Sequence, residues 1–236
     1  MTEEIFREDS YAKSCEAKVL AIHESGIELD RTVFYYESGG QLGDSGSLSV
    51  KSTSIINIVD TQKDKLNDRI LHVPDSRILT LNIGDVVSAD INWKRRYRLM
   101  RMHSALHALC AIVPAQVTGA KVDVEKSRID FNPDGVLVEK ITIQAAVDRL
   151  IAEDRPIGTR WITDEDLIKQ PELVRSMSVS PPLGTGRIRL VGIDGVDLQP
   201  CGGTHVASTK EIGKLAIGKV ENKGKHNRRV NVRLED

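Results

Sequence analysis

The character of the chain changes abruptly at Trp93, and that change bounds what it can fold into. Before it, short runs of β-branched and apolar residues at 15–29, 31–36, 47–50, 55–59 and 86–91 are separated by turn signals at Ser25-Gly26, residues 63–68 and Asn82-Ile83-Gly84-Asp85. Many short strands with Gly and Asp turns predict a small barrel or sandwich. After it, no Gly or Pro interrupts residues 95–112, and Leu99, Met102, Leu106, Leu109 and Val113 recur at spacings of three and four. That rhythm predicts an amphipathic helix, ended by Pro114. Further on, a strand at 128–131 is followed by the turn Asn132-Pro133-Asp134-Gly135. A second helix at 139–153 carries Ile143, Val147, Leu150 and Ile151, and later strands lie at 187–193, 215–217 and 229–234. Pro156, Pro171 and Pro181-Pro182 punctuate this half. At 236 residues the chain can bury a sizeable core without disulfides, as one large domain or two smaller ones.

Four glycines among residues 39–46 (Gly39, Gly40, Gly43 and Gly46) preclude a regular element there and require a shaped loop. Backbone N–H groups in such a loop can cradle phosphate, but the Gly-Lys-Ser/Thr of a P-loop is absent, and a hairpin connection accounts for the loop equally well.

Lys plus Arg number 33 against 34 for Asp plus Glu, which argues against a dedicated basic scaffold for nucleic acid. The positive charge is nevertheless clustered. Lys94, Arg95, Arg96, Arg98 and Arg101 form one group, and Lys219, Lys223, Lys225, Arg228, Arg229 and Arg233 form another. Both offer local attraction for phosphate. The N-terminus is acidic and polar, so no signal peptide is read there. Apolar runs are too short to span a bilayer, and three scattered cysteines make no disulfide framework. The cytoplasm is the expected compartment.

The sharpest constellation is His103-Ser104-Ala105-Leu106-His107 with Cys201-Gly202-Gly203-Thr204-His205. Residues four apart on a helix lie one turn above each other on nearly the same face, so His103 and His107 can meet one ion. The later loop supplies a thiolate and a third imidazole, completing a Cys-His₃ set suited to Zn²⁺. Cys110 lies seven residues from His103, about 10 Å along the axis, and reads as core, as does Cys15. His23, His72 and His226 have no partners in sequence. A zinc protease needs Glu directly after the first histidine, where this chain has Ser104. The deaminase pattern, His-x-Glu with Pro-Cys-x-x-Cys, is likewise absent.

At these residues the sequence resembles the editing domain of alanyl-tRNA synthetase and its free-standing AlaX-type relatives. Thr32, Phe34, Tyr35, Glu37, Gly39, Gly40, Gln41, Gly43, Asp44 and Gly46 are similar to the glycine-rich motif of the longer free-standing forms. Residues 101–107 resemble the first zinc motif, and 197–213 carry the most specific stretch. Val117-Thr118-Gly119, residues 127–131 and Glu153-Asp154-Arg155-Pro156 follow the family order between them. Ser38 stands where the family usually has Gly, and Leu106 where the full-length synthetases usually have Thr.

The resemblance implies an α+β protein of two domains: an N-terminal β-barrel-like domain over 1–90 and an editing domain over 91–236 with a sheet packed by helices. It implies hydrolysis of the ester joining Ser or Gly to tRNA(Ala), with Zn²⁺ on His103, His107, Cys201 and His205. Gly39, Gly40, Gln41, Thr118 and Thr204 become candidates for the substrate pocket. Arg95, Arg96, Arg98, Arg101, Lys223, Lys225, Arg228 and Arg229 become candidates for contact with tRNA. No Asp or Glu stands out as general base. No membrane association and no protein partner is read from the sequence, and an aminoacylation domain is lacking, so the chain is expected to edit rather than charge. Two further readings stay open: a non-catalytic RNA-binding module with structural zinc, and an esterase acting on another mischarged tRNA such as tRNA(Thr).

Overall fold

The computed structural model describes residues 2–50, 54–64, 66–76, 81–176 and 186–235, and the Pro181-Pro182 break lies outside them. The chain is α+β and divides into two compact units, residues 1–98 and 99–236.

The first unit runs β1 (Glu3–Glu4), α1 (Ile5–Glu8), β2 (Ser14–His23), β3 (Gly26–Leu29), β4 (Arg31–Thr32), β5 (Gly46–Val50), β6 (Ser54–Asp64), β7 (Arg69–Pro74) and β8 (Val86–Ile91). Strands β2, β3, β7, β6, β5 and β8 close into a barrel in that order, which leaves no unpaired sheet edge. Sequence alternation decides which side chains fill it. Ala17 and Val19 of β2 point inward with Leu48 of β5, Ile56 and Ile58 of β6, and Val87 and Ala89 of β8.

The expected strand at 31–36 is cut short at Thr32. Val33, Phe34, Tyr35 and Tyr36 are buried yet lie outside any strand. Side chains satisfy several of their backbone groups instead, while Tyr35 O accepts the Asp44 N–H at 2.9 Å. The Tyr35 N–H donates to Asp44 Oδ2 at 2.7 Å, Phe34 N–H donates to Thr32 Oγ1 at 3.0 Å, and Val33 O accepts from Arg96 Nη2 at 2.6 Å. Asp44 and Arg96 are themselves a fully buried ion pair, with Nε 2.9 Å from Oδ2 and a second contact through Nη2. The glycine-rich loop is packed against this arrangement. A Cβ on Gly43 would collide with the carbonyl of Thr61, and one on Gly46 with that of Asp90, so both positions exclude any larger residue.

His72, expected to be a residue without a role in chemistry, is a fixed internal strut. Its Nδ1 lies 2.9 Å from the carbonyl of Ile27, which requires the proton on that nitrogen, and Nε2 faces Thr32 Oγ1 at 2.8 Å.

Helix α2 (Trp93–Ile112) begins in the first unit and continues into the second. Asn92 caps it, its Oδ1 accepting the Arg95 N–H at 3.1 Å. The amphipathic expectation fails here, since every residue from 102 to 110 is buried. The positions that a solvent-facing helix would give to charge hold Ala105, Ala108 and polar groups that find internal partners.

The second unit continues with β9 (Gln116–Lys121), β10 (Ser127–Asn132), α3 (Lys140–Ala152), β11 (Ile157–Ile162), α4 (Asp164–Ile168), β12 (Ile188–Ile193), β13 (Asp197–Pro200), β14 (Leu215–Asn222) and β15 (Arg228–Leu234). The expected sheet packed by helices is present, and among the described residues the strands of this unit form two antiparallel sheets, ordered β14-β15-β10-β9 and β11-β12-β13. Helix α3 turns Ile143, Val147 and Leu150 inward. Its Gln144 serves the edge strand β14, donating to Leu215 O and accepting from Ile217 N–H, each at 2.8 Å.

Two consequences are measurable. Arg96→Met strands a buried carboxylate and is expected to lower stability by about 3–5 kcal/mol, read from the denaturation midpoint; adding Asp44→Asn should recover part of that loss. Burial lowers the His72 pKa from 6.5 to about 4, outweighing the opposing bond to Ile27 O. The folded ring is therefore neutral where the unfolded one is protonated. Barrel stability should be level above pH 6.5 and fall from there toward pH 4, by up to roughly 3 kcal/mol. Amide exchange in the barrel checks this, and His72→Gln should remove the slope.

Candidate metal centre

Helix α2 carries His103 and His107 one turn apart, with ring centroids 5.3 Å from each other. Strand β13 ends at Pro200 and releases the loop that carries Cys201 and His205. The His205 ring lies 4.3 Å from that of His103 and 4.5 Å from that of His107. Cys201 Sγ is 3.6 Å from His103 Nε2 and 3.3 Å from His205 Nε2, and one donor atom from each of the four residues falls within 4.8 Å of the others. A tetrahedral ion with bonds of about 2.0–2.3 Å spaces its donors by about 3.3–3.7 Å, so the Cys201 contacts already have the required separation. A thiolate with three imidazoles is a donor set for a borderline-soft divalent ion.

Neighbouring groups fix the orientation of these donors. Ser104 Oγ lies 3.2 Å from His205 Nδ1 and accepts the Val206 N–H at 3.2 Å, which turns His205 Nε2 toward the cluster. The buried Arg189 of β12 donates from Nη1 to the carbonyls of Cys201 and Gly203 at 3.0 and 2.9 Å, holding the ligand loop from behind. The Gly203 N–H points at Cys201 Sγ from 3.4 Å. Sequence reasoning missed Arg189, Asp197 and any role for Ser104. Period-two alternation would have placed Asp197 and Gln199 on the solvent side of their strand, opposite Leu198, yet both are buried, so no sequence signal marked Asp197.

The electrostatics follow from crowding. Burial alone would raise the Cys201 pKa, but His103, His205 and His107 outweigh it and hold the thiol well below its ordinary value. Burial, with the neighbouring His103, pushes His205 well below the ordinary imidazole value. His107 is raised to about 9 against its burial, by the Cys201 thiolate and Asp197. Cys110, by contrast, is pushed up to about 12, chiefly by burial, and stays a neutral thiol outside the cluster.

The remaining sequence candidates separate clearly. Thr204 is buried in the ligand loop. Thr118 sits on β9 with its hydroxyl buried and unpartnered among the described residues. Gly39 and Gly40 are exposed at a turn with φ of 58° and 85°, and Gln41 beside them is buried in the first unit. Arg96 must be corrected: the buried pair with Asp44 removes it from any surface that tRNA could touch. Arg229 is gripped by Asp130 through bonds of 2.8 and 2.9 Å, and Arg228 bonds Asn222 Oδ1 and Gly224 O. Arg95 reaches Gly43 O at 3.1 Å, Arg101 reaches Ile212 O at 3.0 Å, and Arg98 is half-buried. Lys225 is exposed, and exposed Lys223 pairs with Glu221 at 2.7 Å.

If Arg189 holds the loop, Arg189→Met should speed alkylation of Cys201 in the metal-stripped chain by about tenfold or more, since a loss of about 1.4 kcal/mol in loop closure is a factor of ten. Unchanged thiol reactivity would contradict that role.

A family model described as the threonyl and alanyl tRNA synthetase second additional domain matches residues 188–231, which include Cys201 and His205. A model for class II (A) tRNA synthetases matches residues 4–95. The chain is 35% identical to the alanyl-tRNA editing protein AlaX-M of Saccharolobus solfataricus, over 98% of both chains. It is also 35% identical to the AlaX-M protein of Methanosarcina barkeri over the full length of both. An alanine–tRNA ligase of Saccharolobus islandicus is 35% identical over 93% of this chain and 25% of its own length. With this identity sustained from end to end, and with the four donors gathered in one place, the chain belongs to the AlaX-M family of alanyl-tRNA editing proteins.

Proposed function

We propose that the chain is a zinc-dependent aminoacyl-tRNA deacylase that clears serine, and also glycine, from tRNA(Ala). Family membership supports the reaction class, hydrolysis of the ester between an amino acid and the terminal ribose. The observation that carries metal dependence is the convergence of three buried imidazoles, His103, His107 and His205, on the half-buried Cys201, whose contacts to His103 and His205 have the separation of a tetrahedral ion's donors. When bound, Zn²⁺ supplies Lewis acidity to the ester carbonyl. In the balanced reaction water adds to that carbonyl, the ester C–O bond breaks, and the ribose hydroxyl leaves with a proton as the free amino acid departs. Ser104 and Arg189 keep the donors in register throughout.

Selectivity rests on polar contacts. Serine differs from alanine by one hydroxyl, and a site that hydrogen-bonds a hydroxyl rejects its absence far more strongly than an apolar pocket rejects one methylene. Thr118 or Thr204 of the second unit is proposed for that contact, and Gly39, Gly40 and Gln41 stand as candidates within the first unit. Arg95, Arg98, Arg101, Lys223, Lys225 and Arg228 attract tRNA phosphates. Arg96 is excluded, and Arg229 acts through Asp130 as part of the sheet.

Metal analysis together with deacylation of Ser-, Gly- and Ala-tRNA(Ala), with and without chelator, tests this reading. One zinc per chain is expected, with Ser and Gly released and Ala spared. Chelation or Cys201→Ala should abolish release, while Cys110→Ser leaves zinc in place. Full activity without metal, or release of Ala as fast as Ser, would overturn it.

A further inference from the structure

The centre contains a buried ring nitrogen beside a buried carboxylate with no hydrogen bond between them. His107 Nδ1 and Asp197 Oδ1 are both buried and lack a hydrogen-bond partner among the described residues. Asp197 Oδ2 lies 3.7 Å from His107 Nδ1, too far for a hydrogen bond. The carboxylate has no solvent-exposed side-chain surface, yet it stands at the start of β13, four residues before Cys201. Its position is set by Gln199, whose Nε2 donates to Oδ2 at 2.7 Å. Arg175 approaches Oδ1 from the other side at 3.8 Å and is anchored by a 3.0 Å bond to the carbonyl of Cys110.

We propose that Asp197 is a positioning residue of the metal centre, whose carboxylate accepts the Nδ1 hydrogen of His107 when Nε2 of that ring ligates the ion. The inference rests on the reading of the four-residue cluster as a metal site. An imidazole that gives one nitrogen to a metal keeps its proton on the other, and in a dry interior that N–H needs an acceptor. Asp197 is the carboxylate that the fold places there, and a closure of about 1 Å makes the bond.

The charge balance points the same way. A divalent ion, one thiolate and three neutral imidazoles leave one positive charge in the interior, and the guanidinium of Arg189 adds another behind the loop. A buried carboxylate beside His107, which also pairs with Arg175 at 3.8 Å, opposes this positive charge. Asp197 thus completes a pattern begun by Ser104, which performs the corresponding task for His205 with a hydroxyl.

The test measures metal affinity rather than turnover. Purified full-length chain is stripped of metal and titrated with Zn²⁺ and Co²⁺ against a chromophoric chelator, for wild type, Asp197→Ala and Asp197→Asn. Asp197→Ala should weaken both ions by about 10- to 100-fold. Asp197→Asn, nearly isosteric and still an acceptor, should show a smaller loss. The cobalt ligand-field bands of both variants should shift as the His107 ring reorients, while the thiolate-to-cobalt band of Cys201 persists. Should wild type bind neither ion, the metal reading fails and this inference fails with it. If wild type binds and both folded variants match it in affinity and cobalt spectrum, only the role of Asp197 is overturned. A lower melting temperature for the stripped variants with unchanged affinity overturns it in the same way.

Discussion

Three imidazoles and a thiolate packed within 4.8 Å cannot all keep their ordinary protonation states once water is removed. A protonated imidazole beside another is repelled, and a bare thiolate in an apolar interior is destabilised. The cluster divides this conflict among its members, with the Cys201 thiol and His205 held low and His107 held high. Much of the second unit is arranged around it. Ser104 faces His205, Asp197 faces His107, and Arg189 binds the backbone of the loop that carries Cys201. Each of these is buried polar chemistry that a core without the cluster would have no reason to contain.

Helix α2 carries two of the four donors of this cluster. A helix enclosed from residue 102 to residue 110 cannot spend its polar side chains on solvent, so His103, Ser104 and His107 are pointed at partners. Its N-terminal turn is committed in the same manner. Arg96 meets Asp44 within the first unit, and Asp44 in turn accepts the Tyr35 N–H. The glycine-rich segment owes its composition partly to this packing. Gly43 and Gly46 are needed where two backbones approach too closely for a Cβ, while Gly39 and Gly40 form an exposed turn.

The basic clusters illustrate how charge read along a sequence differs from charge presented at a surface. Arg96 is neutralised in the interior, Arg229 is bound by Asp130, and Arg189, outside both basic clusters, is buried against carbonyls. Arginine suits these internal tasks because its planar fork makes several bonds at once. The lysines at 223 and 225 are exposed instead.

The amino-acid sequence by itself determined the local periodicities and the chemistry of the donor set. The spacing of His103 and His107 placed two imidazoles on one helical face, and the alternation in β2 and β8 marked the barrel interior. Helix α3 could be read from Ile143, Val147 and Leu150 for the same reason: each pattern is set by neighbours within a few residues. Tertiary structure alone decided whatever depends on distant partners. It closed the strands into a barrel, ended the pairing of β4 at Thr32, formed two sheets among the described residues of the second unit and buried α2 on all sides from residue 102 to residue 110. It also turned Ser104, Arg189 and Asp197 toward the ligands. A polar residue carries the same letter whether it faces water or a buried imidazole, and only packing against residues from 12 to 101 positions away selects between the two.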